Sequence, residues 1–322
     1  MKIDLHVHSR FSIRPSQWVL QKIGCAESFT DPQRLREIAK ERGMSMVTIT
    51  DHNTIEGALE IAHLPDVFVS EEVTTYFPDD GCKIHVLVFN ISEEQHRDIQ
   101  KARPSIFDLV GYLRGEGIIH AVAHPLYSTN DRMNADHFEQ LLLLFENFEL
   151  NGARDEGQNE MLQSILSRLG PRDIERLANR HGIEPCFSEP WKKHLTGGSD
   201  DHSSLNIARK YTEVPNAGSL NGFFKGISDG QSRIRGMEAT PLTMSYMIYS
   251  IAYQFYCKKF GLDRHIRKDL FMRFLDGFLG NHHPDSGIKS RIYFFILFPV
   301  CERPAGYGKN LGEICFHSCS PV

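Results

Sequence analysis

The first eight residues, Met1-Lys2-Ile3-Asp4-Leu5-His6-Val7-His8, decide the fold class, because they alternate apolar and polar side chains and end on two histidines. Period-2 alternation marks a strand and puts both imidazoles on one face, close enough to ligate a single ion. Outward from this stretch, short β-branched or apolar runs recur at 46–50, 67–74, 83–89, 118–123, 145–151 and 195–199. Helical patterns lie between them at 32–42, 104–115, 138–144 and 171–180. In the first of these Leu35, Ile38 and Ala39 share a face, Asp31-Pro32 supplies an N-cap and first-turn proline, and Gly43 closes the helix. Strands alternating with helices predict an α/β chain with a parallel sheet covered by helices.

The polar residues fall in register with that pattern. The second run ends in Thr50-Asp51-His52, the third delivers Glu71-Glu72, and the fourth begins with His85. The fifth leads into His124-Pro125, and the seventh into Gly197-Gly198-Ser199-Asp200-Asp201-His202. Barrel enzymes carry their sites at strand ends. Taken singly, each residue has a plainer reading: a structural histidine pair in a strand, Asp51 as a helix cap, His85 as a satisfied core histidine, His124 as a turn former. Their joint occurrence at successive strand ends points to a metal centre.

Composition bounds the partners. The 322 residues are 41% hydrophobic and 24% charged, with a formal charge of -5 and a pI near 6.3. No global basic field draws nucleic acid or an anionic membrane, so any phosphate binding is local. The opening residues contain no apolar signal-peptide core, and the expected location is the cytoplasm. The 7 cysteines are scattered without a CxxC pair, which predicts reduced, mostly buried thiols rather than a disulfide framework or a thiolate zinc site. The most apolar late stretches, 244–256 and 293–300, fall short of the ~20 residues that a membrane span needs.

Together, the HxH opening (His6, His8), the TDH step (Thr50, Asp51, His52), Glu72, His85, the His-Pro step (His124, Pro125) and the closing SDxH (Ser199, Asp200, His202) resemble the polymerase and histidinol phosphatase (PHP) domain family. The resemblance covers residues 1–235. It implies a distorted (β/α)7 barrel holding two or three divalent metals, zinc, manganese or iron. Residues 236–322 are expected to form a mainly helical C-terminal extension and an irregular tail. The resemblance further implies that His6, His8, Glu72 and Asp200 hold one metal and that Glu72 bridges to a second held by His85 and His124. A third would use His52 and His202 with an acidic or imidazole residue soon after the HxH. Here Ile13 stands in that place, so Asp51, Asp201, water or substrate must complete the shell.

Clustered cations bind phosphate oxygens, acidify a bound water and stabilise the leaving oxygen, so the expected activity is metal-dependent hydrolysis of a small phosphorylated substrate. Asp51 or His202 is expected to move protons or orient the water. Arg10, Arg14 and Arg154 are the candidate phosphate clamps. Two other readings stand beside this one: a 3′-end nuclease on single-stranded nucleic acid, against which the acidic balance weighs, and a non-catalytic, metal-stabilised regulatory module of a carbohydrate pathway. No membrane partner is expected, and the sequence leaves the oligomeric state open.

Overall fold

The computed structural model describes residues 1–15 and 18–262, all within one unit, Met1–Asn281. The irregular tail and the apolar stretch 293–300 lie outside the described residues. In chain order the elements are β1 (Lys2–Ile3), α1 (Trp18–Ile23), α2 (Pro32–Glu41), α3 (Glu56–Ile61), β2 (Ser70–Tyr76) and β3 (Lys83–Phe89). There follow α4 (Glu93–Ala102), α5 (Ile106–Gly115), β4 (His120–Val122), α6 (Ala135–Leu144), β5 (Asn147–Asn151) and α7 (Glu156–Arg168). The series ends with α8 (Pro171–His181), β6 (His194–Gly198), β7 (Lys210–Glu213), α9 (Leu220–Ser228), β8 (Arg233–Gly236) and α10 (Pro241–Phe260).

The fold is mixed α/β. One sheet runs β2-β3-β4-β5-β6 and a smaller one β1-β7-β8. The expected all-parallel sheet is corrected: β2 pairs antiparallel with β3, and β3 with β4, while only β4-β5 and β5-β6 are parallel. The reason is local, since residues 77–82 are too short a connection for the crossover that parallel neighbours require. Strands β7 and β8, absent from the sequence reading, pair with each other, and β7 also pairs with β1. A short strand with one exposed face gives little periodicity to read.

The (β/α)7 barrel expectation is met only in its mixture of elements, because no continuous ladder closes the sheet. The segment expected as one strand over 2–8 is a two-residue strand followed by a single parallel bridge, Val7 to Asp201. The next segment bridges singly at Val47–Val67 and His52–Glu72. Side chains interrupt these ladders. Asp4 accepts the N–H groups of Ser199 (2.8 Å) and Ala208 (2.7 Å), and Thr50 Oγ1 takes the N–H of Val7 at 3.0 Å. Backbone donors that would extend a ladder thus end on oxygens brought in from the side.

Hydrophobic burial holds the helices to the sheets. Val86, Val88 and Val122 pack with Leu109, Leu113 and Phe138 beneath α5 and α6, and Val7, Leu35, Ile38 and Ile49 form a second cluster beneath α2. Capping follows the sequence rules: Asp31 accepts from the N–H groups of Gln33 and Arg34, and Ser92 and Gln95 form a capping box on α4. Among the described residues no helix is long and apolar enough to cross a membrane. Cys25, Cys82 and Cys257 are buried, and Cys186 is exposed.

A close backbone approach that bears on the site is at Gly198, where a Cβ would lie 2.3 Å from His6 Cβ and 2.4 Å from His6 N. Neither atom can move without shifting the strand that carries both histidines. Gly198→Ala is expected to lower stability by about 3 kcal/mol in urea unfolding, the upper range for overpacking. The control Gly111→Ala, in α5 with nothing within 4 Å, should be neutral or slightly stabilising. Equal midpoints for the two variants would refute the close-approach argument.

Candidate metal centre

Hydrogen bonds between neighbouring segments bring the polar strand ends to one level. Asp200 N donates to His6 O at 2.6 Å and His8 N to Asp201 O at 3.0 Å, lacing the loop after β6 along the first segment. Thr50 N donates to Val7 O, and Glu72 N to Asp51 O. Ala123 N then donates to His85 O, which fixes His124 beside β3. His85 joins from the start of its strand because β3 runs against β2. The register pairs Thr74 with His85 and Glu72 with Leu87, so Glu72 and His85 are diagonal neighbours on one face. His124 and Asp200 both have positive φ, 30° and 51°, a conformation that ordinary residues hold only where the surroundings impose it.

Four side-chain atoms converge most closely. His6 Nε2 and His8 Nε2 are 3.0 Å apart. Glu72 Oε2 lies 3.1 and 3.2 Å from them, and Asp200 Oδ1 lies 3.4 and 3.5 Å. Ligands held at ~2.1 Å by one tetrahedral ion lie roughly 3.4 Å apart, and these five separations are near that value. The far nitrogens support the same reading. His6 Nδ1 faces Glu149 Oε1 at 2.8 Å, and a carboxylate can only accept, so that nitrogen carries the proton. His8 Nδ1 meets Ser12 Oγ at 3.0 Å, whose hydroxyl donates to Asp51 Oδ1 at 2.7 Å. Both Nε2 atoms therefore face each other and two carboxylate oxygens, an arrangement that a divalent cation bound to the neutral rings would satisfy in place of Nε2 protons.

The other histidines surround the same carboxylate. Glu72 Oε1 is 2.8 Å from His85 Nδ1 and 3.2 Å from His124 Nε2, and Oε2 is 3.1 Å from His52 Nδ1. Beyond them Glu27, which the sequence reading missed, lies 3.2 Å from His52 Nε2 and 3.8 Å from His202 Nε2. His8, His52 and His202 offer nitrogens within 4.8 Å of one another. Buried His52 Nδ1, His85 Nδ1 and His202 Nε2 make no hydrogen bond. Ile13 is 65% exposed and away from the cluster, so the acidic residue beside His52 and His202 comes from an irregular segment further along the chain. No periodicity marks Glu27; Glu149, by contrast, shares a strand face with Asn147 and Asn151 and could have been found by alternation.

Electrostatics reflect this crowding. Burial opposes ionisation of Glu72 and Asp200, but the surrounding imidazoles hold both well below the usual carboxylate range. Burial also disfavours the charged form of His6 and His8, yet Glu149, Asp200 and Glu72 raise His6 well above its ordinary value, and bonds to Asp200 and Glu72 raise His8 to about 10. For His85 and His202 burial prevails and lowers each to about 4, leaving neutral rings. Glu27, against its burial, is lowered by His52 to about 2.

The remaining expectations divide. Arg154 reaches the cleft: its guanidinium stacks 3.7 Å over the Tyr127 ring and lies 3.9 Å from Asp200 Oδ2, and its buried Nε makes no hydrogen bond. Arg10 instead pairs with Asp31 and Glu60, and Arg14 is exposed and outside the cleft lining. Asp51 is not among the cleft residues either. Its oxygens accept from Ser9 N (2.8 Å), Ser9 Oγ (2.6 Å) and Ser12 Oγ, so it positions His8 through Ser12 rather than facing a substrate. A separate group, Asp136, Glu139 and His181, is bridged by Arg180 at 2.6 and 3.2 Å.

No known family profile matches the chain. Over 73 residues, 23% of the chain, it is 38% identical to an uncharacterized protein of Methanocaldococcus jannaschii, and the match spans 41% of that relative's length. Among solved structures it is similar to PsfC from Pseudomonas syringae, with 15% identity over 79% of this chain and 97% of that one and a TM-score of 0.45. It is also similar to the lesion-specific endonuclease PfuEndoQ from Pyrococcus furiosus (16%; 72% and 57%; 0.42) and to an amidohydrolase from Chromobacterium violaceum (17%; 63% and 88%; 0.40). The functional assignment therefore rests on the side-chain geometry.

Asp51→Ala leaves buried donors of Ser9 and Ser12 without an acceptor, and a loss of about 2 kcal/mol in urea unfolding is expected. An unchanged midpoint would contradict the positioning role.

Proposed function

We propose that the chain is a metal-dependent phosphoesterase, a hydrolase acting on a small phosphorylated substrate at a two- or three-metal centre. The observation that carries this reading is that His6 Nε2 and His8 Nε2 lie 3.0 Å apart and each stands 3.1–3.5 Å from Glu72 Oε2 and from Asp200 Oδ1. Glu72 would bridge to a second ion with His85 and His124, and His52, His202 and Glu27 would supply a third position. Imidazole mixed with carboxylate suits zinc, manganese or iron rather than calcium or magnesium.

When bound, the cations supply positive charge for phosphate oxygens and acidify a water. The chain supplies orientation and proton acceptance. Glu149 and the Ser12–Asp51 pair hold His6 and His8 with their Nε2 lone pairs inward, as supporting residues of metal sites commonly do. Arg154, its face against Tyr127 and its guanidinium lining the cleft, would grip a nonbridging phosphate oxygen. His202 Nδ1 faces the Asp200 carbonyl at 3.1 Å, which leaves Nε2 as an acceptor toward the cleft.

Protein purified without chelator is expected to carry two to three equivalents of zinc, manganese or iron by elemental analysis. Glu72→Ala should lose them all, and Glu27→Ala only one. Absence of divalent metal, or a full load in Glu72→Ala, would overturn the assignment. The metal-loaded protein should hydrolyse phosphate esters and stop on EDTA treatment. Arg154→Ala should reduce kcat/KM about 100-fold, the typical cost of one donor to transition-state charge, with metal content unchanged. A variant as active as the parent would remove Arg154 from the site.

A further inference from the structure

The cleft over the cluster has two unlike walls. One carries the histidines, carboxylates and Arg154; the other is the face of α10 presented by Met244, Met247, Ile248, Ile251 and Ala252. These positions recur at helical spacing, so one stripe of α10 faces the site. We infer that, within the phosphoesterase reading, the substrate is a small phosphate monoester whose leaving group is apolar, seated against this stripe.

Three observations carry the inference. First, α10 is built into the site. Ser250 Oγ and Gln254 Nε2 donate to Ser203 O at 3.1 and 3.2 Å, next to His202, and Ala239 N, just before the helix, donates to Arg154 O at 2.9 Å. Ile251 and Phe255 pack with Cys25, Phe29 and Met247, fixing the helix over the segment that holds Glu27. The wall is thus tied to the loops that bear three cleft residues. Second, α10 has no charged side chain from Pro241 to Cys257. Among the described residues lining the cleft, Arg154 alone is Lys or Arg. One cation beside the cluster matches one phosphate; a nucleic-acid strand needs basic side chains along its neighbouring phosphates. Third, the cleft volume is about 190 Å³, below the roughly 300–1,000 Å³ of sites for drug-sized ligands. Phosphate beside the cluster leaves room for a group of about one ring. Unbranched, polarizable methionine side chains adapt to such a group without fixing one shape.

The test compares phenyl phosphate with glycerol 3-phosphate as substrates of the metal-loaded full chain, and phenylphosphonate with methylphosphonate as ligands in calorimetry. The apolar member of each pair is expected to win by at least about tenfold, the factor given by burying roughly two methylene equivalents. Met247→Gln and the half-exposed Ile248→Lys should bring the ratio toward one. Equal kcat/KM and equal affinity in each pair would overturn the apolar wall and leave the phosphoesterase reading standing. Hydrolysis of neither ester with zinc, manganese or iron would overturn both. Tight, salt-sensitive binding of single-stranded DNA would replace the small monoester with a nucleic acid.

Discussion

A single buried carboxylate organises this protein. Glu72 has no exposed surface, and five imidazoles stand around it, at 3.1 Å (His6), 3.2 Å (His8), 3.1 Å (His52), 2.8 Å (His85) and 3.2 Å (His124). An ionised carboxylate removed from water is costly unless opposite charge and hydrogen bonds replace its hydration. Here the compensation comes from residues far apart in the chain, so their segments must converge within hydrogen-bonding tolerance. The positive φ at His124 and the backbone contact at Gly198 follow from that convergence.

The same demand accounts for the broken ladders. A regular strand pairs its own backbone groups, but around Glu72 the segments near residues 4–8 and 47–52 give donors to side chains instead. Asp4 and Thr50 join segments through oxygens that regular pairing would leave outward. Asp51 does this once removed, through Ser12 to His8. These polar residues hold histidine tautomers and loop positions. A hydrophobic substitute would pack but could not hold an imidazole lone pair in a set direction.

Asymmetry is the other consequence of the arrangement. The charged residues of the cleft come from the strand ends, the loops after them and the segment of Glu27, while α10 contributes aliphatic and thioether groups. In the proposed reaction the polar side would hold the phosphate and the apolar side what the phosphate is attached to. Stacking Arg154 on Tyr127 keeps its guanidinium flat at the boundary, where it faces Asp200 and the open cleft.

Much of the site was legible because its residue types are rare at strand ends: His6, His8, His52, Glu72, His85, His124, Asp200 and His202 all meet in the structure, as does Arg154. Period-2 alternation placed the first pair without any knowledge of the rest. The sequence by itself determined what is local: which segments alternate, where helices are capped, and which side chains carry donor atoms. Only the tertiary structure decided strand direction, which lets His85 reach the cluster from the start of β3. It also decided that Glu27 comes to His52 and His202, that Glu149 backs His6, and that Arg10 is turned to Asp31 and Glu60. Periodicity reports which face of an element is buried, whereas the partner a charge finds depends on contacts between segments distant in the chain, and those are set when the chain packs.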